Sequence, residues 1–148
     1  MRMLGLDVGD KRIGVAVCDP LEVLASMLTV IERKGKGSDI EAICALIHEH
    51  NAERVIVGLP RLQDGSLGTQ AEKTQFFVDE LALHVGIPIE MFDERHSTDM
   101  AEQLLRDAGR SRQQIKEKKD AAAAALILQW YLDQQAITRD IEIENGTL

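Results

Sequence analysis

The chain has 148 residues, the usual length of one domain, and its 45% hydrophobic and 28% charged residues exclude a wholly disordered polypeptide. No apolar run approaches the roughly 18 residues of a membrane-spanning helix, and the first residues lack the apolar core of a secretory signal, so we expect no membrane contact and a cytoplasmic location. The formal net charge of −8 argues against tight, nonspecific binding to a polyanion.

The first elements predicted along the chain are β-strands. Met3–Val8 and residues 13–18 are short apolar runs, and the Gly-Asp-Lys sequence at residues 9–11 is typical of a tight turn between them. Residues 24–31 are rich in apolar and β-branched side chains and are expected to add a third strand. The chain therefore begins with a predicted antiparallel meander.

Helices and strands alternate in the rest of the chain. Apolar residues at helical spacing, continuous apolar runs, and Gly or Pro at the ends of these segments define the elements. The predicted order is a helix over residues 39–50, a strand over 54–59, a helix over 69–85, a strand over 89–92, a helix from Ser97 or Thr98 to Ala108, and a helix over 120–133. Ser38 with Glu41 predicts a capping box on the first helix. Thr69 with Glu72 predicts another on the second.

This order of elements predicts an α/β fold with a mixed five-stranded sheet and helices on both faces, which is the RNase H-like arrangement. We expect one domain over residues 1–138, followed by an acidic, flexible tail over residues 139–148. Cys18 and Cys44 do not have the spacing of metal ligands, so both are predicted to be reduced thiols in the core.

Three carboxylates lie at the ends of predicted elements. Asp7 is near the end of the first strand, Glu94 follows the last strand, and Asp120 begins the last helix. Each has a structural alternative, which is turn formation for Asp7 and a helix-end interaction for the other two. The predicted sheet brings all three to the edge where open α/β folds bind ligands. Because carboxylate oxygens suit Mg²⁺ or Mn²⁺, they indicate a site for a pair of divalent ions and phosphodiester hydrolysis.

Positive charge is concentrated beside these carboxylates, which weakens the objection raised by the net charge. Lys11 and Arg12 lie in the first turn, and both are candidate phosphate contacts. Arg95 is a third candidate, although it is as well placed to neutralise Asp93 or Glu94. A basic segment directly before the last helix is predicted to follow a nucleic-acid backbone, and consists of Arg110, Arg112, Lys116, Lys118 and Lys119.

Two further features are weaker candidates. The loop over residues 64–68 offers backbone N–H groups suited to phosphate, with a plain surface loop as the alternative. Among the four histidines, only His96 lies beside a candidate carboxylate and merits a test as an acid or base. With 3% aromatic residues, base stacking is expected to contribute little to nucleic-acid recognition.

Five motifs together resemble the YqgF/RuvX family, small bacterial relatives of the RuvC junction resolvases. They are DVGDKRIGVA at residues 7–16, VGLP at 57–60, DG at 64–65, DER at 93–95 and KDAAA at 119–123. The resemblance spans about residues 3–133 and implies an RNase H-like, metal-dependent nuclease with Asp7, Glu94 and Asp120 as metal ligands. The chain departs from the family pattern at residues 61–63 and at His96, which bears on substrate preference rather than on metal binding.

The sequence leaves several interpretations open. A strand, Asp-x-Gly and a turn also open the actin-like and sugar-kinase ATPases, but those folds need two such domains and 148 residues have room for one. A non-catalytic nucleic-acid-binding module is a third interpretation, although it would not require all three acidic positions. Within the nuclease interpretation, the resemblance favours the 5′ end of pre-16S rRNA over a Holliday junction. The sequence does not decide between structured RNA and branched DNA as the substrate, or between endonuclease and exonuclease action. It also does not decide between a monomer and a homodimer.

Overall fold

The computed structural model describes residues 1–62, 64, 66–94 and 97–146, with only the backbone for residues 94, 97 and 98. The chain order is β1 (Met3–Val8), β2 (Arg12–Cys18), β3 (Ala25–Glu32), α1 (Lys36–Glu49), β4 (Arg54–Pro60), α2 (Thr69–Ala82), β5 (Ile89–Glu94), α3 (Ser97–Asp107) and α4 (Arg112–Glu144). The predicted succession of strands and helices is confirmed, and the boundaries differ mainly at the helix starts.

The sheet has five strands in the order β3-β2-β1-β4-β5. β1, β2 and β3 are antiparallel neighbours, whereas β1, β4 and β5 run parallel. The mixed five-stranded sheet predicted from the sequence is therefore confirmed. Because β1, β4 and β5 run in one direction, Asp7 and Glu94 both come near the same edge of the sheet.

Two apolar layers cover the two faces of the sheet. Successive side chains of a strand point to opposite faces, so β1 contributes to both layers. Leu4 and Leu6 pack with side chains of α1 and α2, whereas Met3 packs with side chains of α4. α3 lies against α4. Helices on both faces of the sheet are thus confirmed.

Two glycines let α4 lie close against the sheet. A Cβ added at Gly5 would come within 2.8 Å of the Cβ of Leu128, and one added at Gly14 would overlap the backbone of Asp120. The alanine run over residues 121–125 lies in this part of α4, and backbone atoms of Ala121 and Ala124 are among the neighbours of the two glycines. This close packing fixes Asp120 beside β2.

The predicted capping boxes of α1 and α2 are wrong. α1 begins at Lys36, so Ser38 lies inside its first turn instead of before it, and the chain enters the helix through Gly35 at φ 154°. α2 begins at Thr69 as predicted, but Gly68 is the residue before it, and among the described residues no side chain caps either helix.

α4 is longer than predicted at both ends. The sequence predicts a helix over residues 120–133, whereas the structure has 33 helical residues that include most of the basic segment. A capping box that the sequence analysis missed opens α4, because Ser111 and Gln114 cap each other's backbone N–H groups. Residues 139–144 continue α4 with exposed side chains, and flexibility of this end stays a prediction.

Two remaining predictions concern thiols and membranes. Cys18 is buried and Cys44 packs against the core, and both are free thiols, as expected. Within the part of the chain that the structure describes, no helix combines the length and the apolar run needed to span a membrane.

Candidate metal and nucleic-acid site

β1 brings Asp7 to the end of the sheet on the face that α4 covers. Asp7 alternates with Gly5 and Met3, which lie against α4. Its partner on the antiparallel strand β2 is Gly14, and directly opposed Cα atoms are about 5 Å apart. Asp7 is partly buried, so its carboxylate position is fixed by a strand and not by a loop.

Asp120 lies on the other side of the same glycine. A Cβ at Gly14 would overlap the carbonyl group of Asp120 and come within 2.9 Å of the backbone nitrogen of Ala121. Glycine at this position is therefore what lets α4 pass beside Asp7. Two of the three predicted carboxylates, at positions 113 residues apart in sequence, thus border one residue of β2.

Asp120 forms an ion pair with Arg12. The Nε of Arg12 donates a hydrogen bond to Oδ2 of Asp120 at 2.9 Å, and the two side chains are 32% and 18% exposed. This hydrogen bond and the negative charge of Asp120 raise the pKa of Arg12, so the guanidinium keeps its charge. The predicted contact of Arg12 with a phosphate stays a prediction.

Glu94 ends β5 at the same edge of the sheet. Its backbone is opposite Pro60 of the parallel strand β4. Its side chain, like Arg95 and His96, lies outside the described residues, so the predictions for these three stay open. Among the side chains that the structure does describe, no three acidic, His or Cys residues are grouped closely enough to hold a metal ion.

The residues present fit a hard divalent cation in their chemistry. Asp7 and Asp120 supply oxygen donors, which Mg²⁺ and Mn²⁺ prefer. The gap left by glycine at position 14 brings the two carboxylate-bearing backbones together. Because Asp120 keeps solvent exposure, water and a phosphate oxygen can complete a coordination shell there.

The turn between β1 and β2 is held by hydrogen bonds that the sequence analysis did not foresee. Nη1 of Arg33 donates to the carbonyl oxygen of Gly9 at 2.9 Å, and Nε2 of Gln70 donates to that of Val8 at 3.1 Å. The backbone N–H of Arg33 also donates to the carbonyl oxygen of Lys11. The segment directly after Asp7 is therefore anchored to Arg33, the residue after β3, and to α2.

Arg33 is itself held by two helices. Its Nε donates to Oδ2 of Asp39 at 2.9 Å, and Asp39 is 1% exposed. The guanidinium also lies 5.1 Å from the ring centroid of Phe77 on α2, a cation–π contact. The sequence gives no sign of this role of Arg33, because no local pattern links it to Asp39 or to Gly9.

The basic segment forms the entry to α4 and leads towards Asp120. Arg112 and Lys116 are exposed and lie four residues apart, so they share one side of the helix. Arg110 and Lys118 are partly exposed, and Lys119 pairs with Glu102 of α3 at 3.9 Å. The role of these cations in nucleic-acid binding stays a prediction.

The loop before α2 is organised in part by Asp64. Its Oδ1 accepts hydrogen bonds from the backbone N–H and the hydroxyl of Ser66, at 2.9 and 2.6 Å. Gln63 and Gly65 lie outside the described residues, so phosphate binding by this loop remains a prediction. At the neighbouring strand end, Arg61 pairs with Asp93 at 3.0 Å.

A known protein family matches almost the whole chain. The RuvX family model, described as Holliday junction resolvase, matches residues 1–134. The chain belongs to the RuvX family. A Halothermothrix orenii protein named "Putative pre-16S rRNA nuclease" is 47% identical over 135 residues, covering 91% of this chain and 96% of the relative. A Synechococcus elongatus protein of the same name is 46% identical and covers 89% of each chain.

Solved structures share the fold of this RuvX-family chain. Thermus thermophilus RuvC in complex with a Holliday junction substrate superposes with a TM-score of 0.57 at 17% identity, covering 92% of this chain and 96% of RuvC. The Fowlpox virus resolvase in complex with substrate Holliday junction DNA gives a TM-score of 0.53 at 12% identity, covering 91% and 99%. At these identities the likeness shows the fold, and it confirms the RNase H-like arrangement.

Proposed function

We propose that this RuvX-family chain is a metal-dependent nuclease that hydrolyses phosphodiester bonds of nucleic acid. The observation that carries the proposal is the placement of Asp7 and Asp120 on either side of Gly14 at the carboxyl end of the sheet. An ordinary turn or helix-end role for each carboxylate would not require α4 to pack against β2 at that point.

The substrate that we propose is the 5′ end of pre-16S rRNA, processed during ribosome biogenesis in the cytoplasm. Relatives at 42–47% identity have pre-16S rRNA in their names, and they match over nearly their whole length. A Holliday junction is the second candidate, because the family model and the structures of the same fold carry that description. We propose that residues 1–138 suffice as the nuclease domain and that the chain acts as a monomer or a homodimer.

In this proposal, Asp7, Glu94 and Asp120 hold Mg²⁺ or Mn²⁺. A bound pair of such ions supplies an activated water and neutralises charge on the leaving oxygen. Asp7 is kept in place by β1 and by the anchored turn after it, so little reorganisation is needed when the substrate binds.

In this proposal, basic side chains contact the phosphate backbone of the nucleic acid. Lys11 is exposed in the turn beyond Asp7, and the basic segment of α4 approaches the site from the other side. Arg95 is proposed as a further contact next to Glu94. A chain with a net charge of −8 needs such a local basic surface to bind a polyanion.

The test of this proposal is cleavage by the purified protein of two labelled substrates, a transcript carrying the pre-16S 5′ leader and a four-way DNA junction. Each is incubated with Mg²⁺, with Mn²⁺ or with a chelator. We expect metal-dependent cleavage of the transcript at discrete positions. Preferential cleavage of the junction supports the second candidate, and no metal-dependent cleavage of either substrate contradicts the proposed function.

A further inference from the structure

Arg12 connects the parts of the candidate site. It opens β2 after the exposed Lys11, and its carbonyl oxygen accepts a hydrogen bond from the backbone N–H of Gly9, which closes the β1–β2 turn. Its guanidinium reaches across to Asp120 on α4. The pair is 32% and 18% exposed, so it lies at the surface, within reach of a bound polyanion.

The ion pair and the proposed metal compete for one carboxylate. A guanidinium and a divalent cation that both contact Asp120 repel each other, because like charges a few ångströms apart are unfavourable even near the protein surface. A guanidinium that stays on Asp120 therefore weakens the binding of a divalent cation there. Asp120 is the fixed partner of the pair, because its backbone packs against Gly14 of β2 without room for a Cβ.

Arg12 is the mobile partner. Arg12 is the first residue of β2, and its side chain is long and about one third exposed to solvent. A freed guanidinium presents a planar pair of donors that match two oxygens of one phosphate. Arg12 can thus pair with Asp120 in one state and with a phosphate of the substrate in another.

We propose that Arg12 is an exchangeable counterion of Asp120. In the metal-free protein it neutralises Asp120, and when a divalent cation takes that carboxylate, Arg12 turns outward and binds a phosphate of the nucleic acid. The inference rests on the proposed function, because it requires a cation at Asp120. It implies that metal and nucleic acid each strengthen the binding of the other through Arg12, since such coupling is reciprocal.

The first measurement is Mn²⁺ affinity by titration calorimetry without nucleic acid. Arg12→Gln removes the competing cation, so we expect it to bind Mn²⁺ about threefold to fivefold more tightly than wild type, the scale of one partly exposed ion pair. Lys11→Gln is the matched control. It removes the same charge from the same turn, and we expect a change of less than about twofold because Lys11 has no place in the exchange.

The second measurement is fluorescence anisotropy of a labelled pre-16S leader RNA, with Ca²⁺ and with a chelator. Wild type is expected to bind the RNA more tightly with Ca²⁺, and Arg12→Gln to lose most of that gain. Lys11→Gln should weaken binding by a similar factor in both buffers, since its charge is available in both states. Arg12→Lys keeps the charge without the planar fork, and should restore part of the gain.

Unchanged or weaker Mn²⁺ binding by Arg12→Gln, with an unfolding midpoint near that of wild type, overturns the inference, because Arg12 would then be a fixed support of the site. An equal Ca²⁺ gain in wild type and Arg12→Gln overturns its nucleic-acid step. These results leave the proposed function standing. A wild-type protein that binds no Mn²⁺ removes the proposed function and this inference with it.

Discussion

Replacing Gly14 with alanine tests whether the close approach of α4 to β2 assembles the site. The added Cβ would overlap the carbonyl group of Asp120 and lie 2.9 Å from the backbone nitrogen of Ala121. Both obstacles are backbone atoms of a helix, so neither can rotate aside. Relief requires α4 to move away from the sheet by about 1 Å or more, since non-bonded carbon atoms rest about 3.5–4 Å apart.

Gly14→Ala is expected to lower both the stability and the cleavage activity of the protein. Overpacking against backbone costs about 3 kcal/mol, which lowers the melting temperature of a chain of this size by about 6–12 °C. Moving Asp120 by about 1 Å away from Asp7 is expected to lower the cleavage rate by about 10²-fold and to weaken Mn²⁺ binding. Thermal unfolding, calorimetry and cleavage of the leader transcript measure the three effects.

Gly5→Ala is the matched control. Its Cβ would also press on α4, at 2.8 Å from the Cβ of Leu128 and 3.0 Å from the carbonyl oxygen of Ala124, but further along the helix. We expect a loss of about 1–2 kcal/mol in stability with Mn²⁺ affinity within about threefold of wild type. A Gly14→Ala protein with wild-type melting and Mn²⁺ affinity, or a Gly5→Ala protein with the same binding defect, would refute the reasoning.

Three further predictions concern other parts of the chain. Arg33→Met leaves the buried carboxylate of Asp39 without its guanidinium and should cost about 3 kcal/mol in urea unfolding, whereas Lys34→Met at an exposed position should cost less than about 0.5. Burial raises the pKa of Tyr131, the one tyrosine of the sequence, so phenolate absorbance should titrate with a midpoint above 10. Its contribution to stability is then complete below pH 10 and lost as the pH rises through the folded-state pKa, and Tyr131→Phe should remove that loss. Deleting residues 139–148 should leave the melting temperature within about 3 °C and cleavage unchanged; a larger loss contradicts the proposed domain boundary.

The sheet could be predicted from the sequence because its signals are local. The strand predicted over residues 54–59 is β4 almost to the residue, since a continuous apolar run closed by a proline is typical of a buried parallel strand. The run of small residues after Asp120 also predicted a closely packed helix correctly. Its partner on the sheet, Gly14, was quoted only as part of a family motif.

The helix starts and the site's ion pairs could not be predicted in the same way. Ser38 and Glu41 have the spacing of a capping box, but Gly35 at φ 154° lets α1 begin earlier, and the neighbouring Asp39 is committed to Arg33. The entry to α4 lacks apolar periodicity, so its charged residues did not indicate a helix.

The pairing of Arg12 with Asp120 depends on tertiary structure alone. The two residues are 108 positions apart, and the contact exists because α4 crosses β2 at a glycine. From the sequence, Arg12 was a candidate phosphate contact and Asp120 a candidate metal ligand. The structure adds that the two side chains form an ion pair.

The most direct test of the central claim is single-turnover cleavage of the leader transcript by Asp7→Asn in Mn²⁺. The amide has nearly the shape of the carboxylate but lacks its charge, so the fold should be kept while cation binding is lost. Metal binding by Asp7 predicts at least about a 10²-fold loss of cleavage with a melting temperature within about 3 °C of wild type. Cleavage at the wild-type rate by a folded Asp7→Asn protein would contradict it.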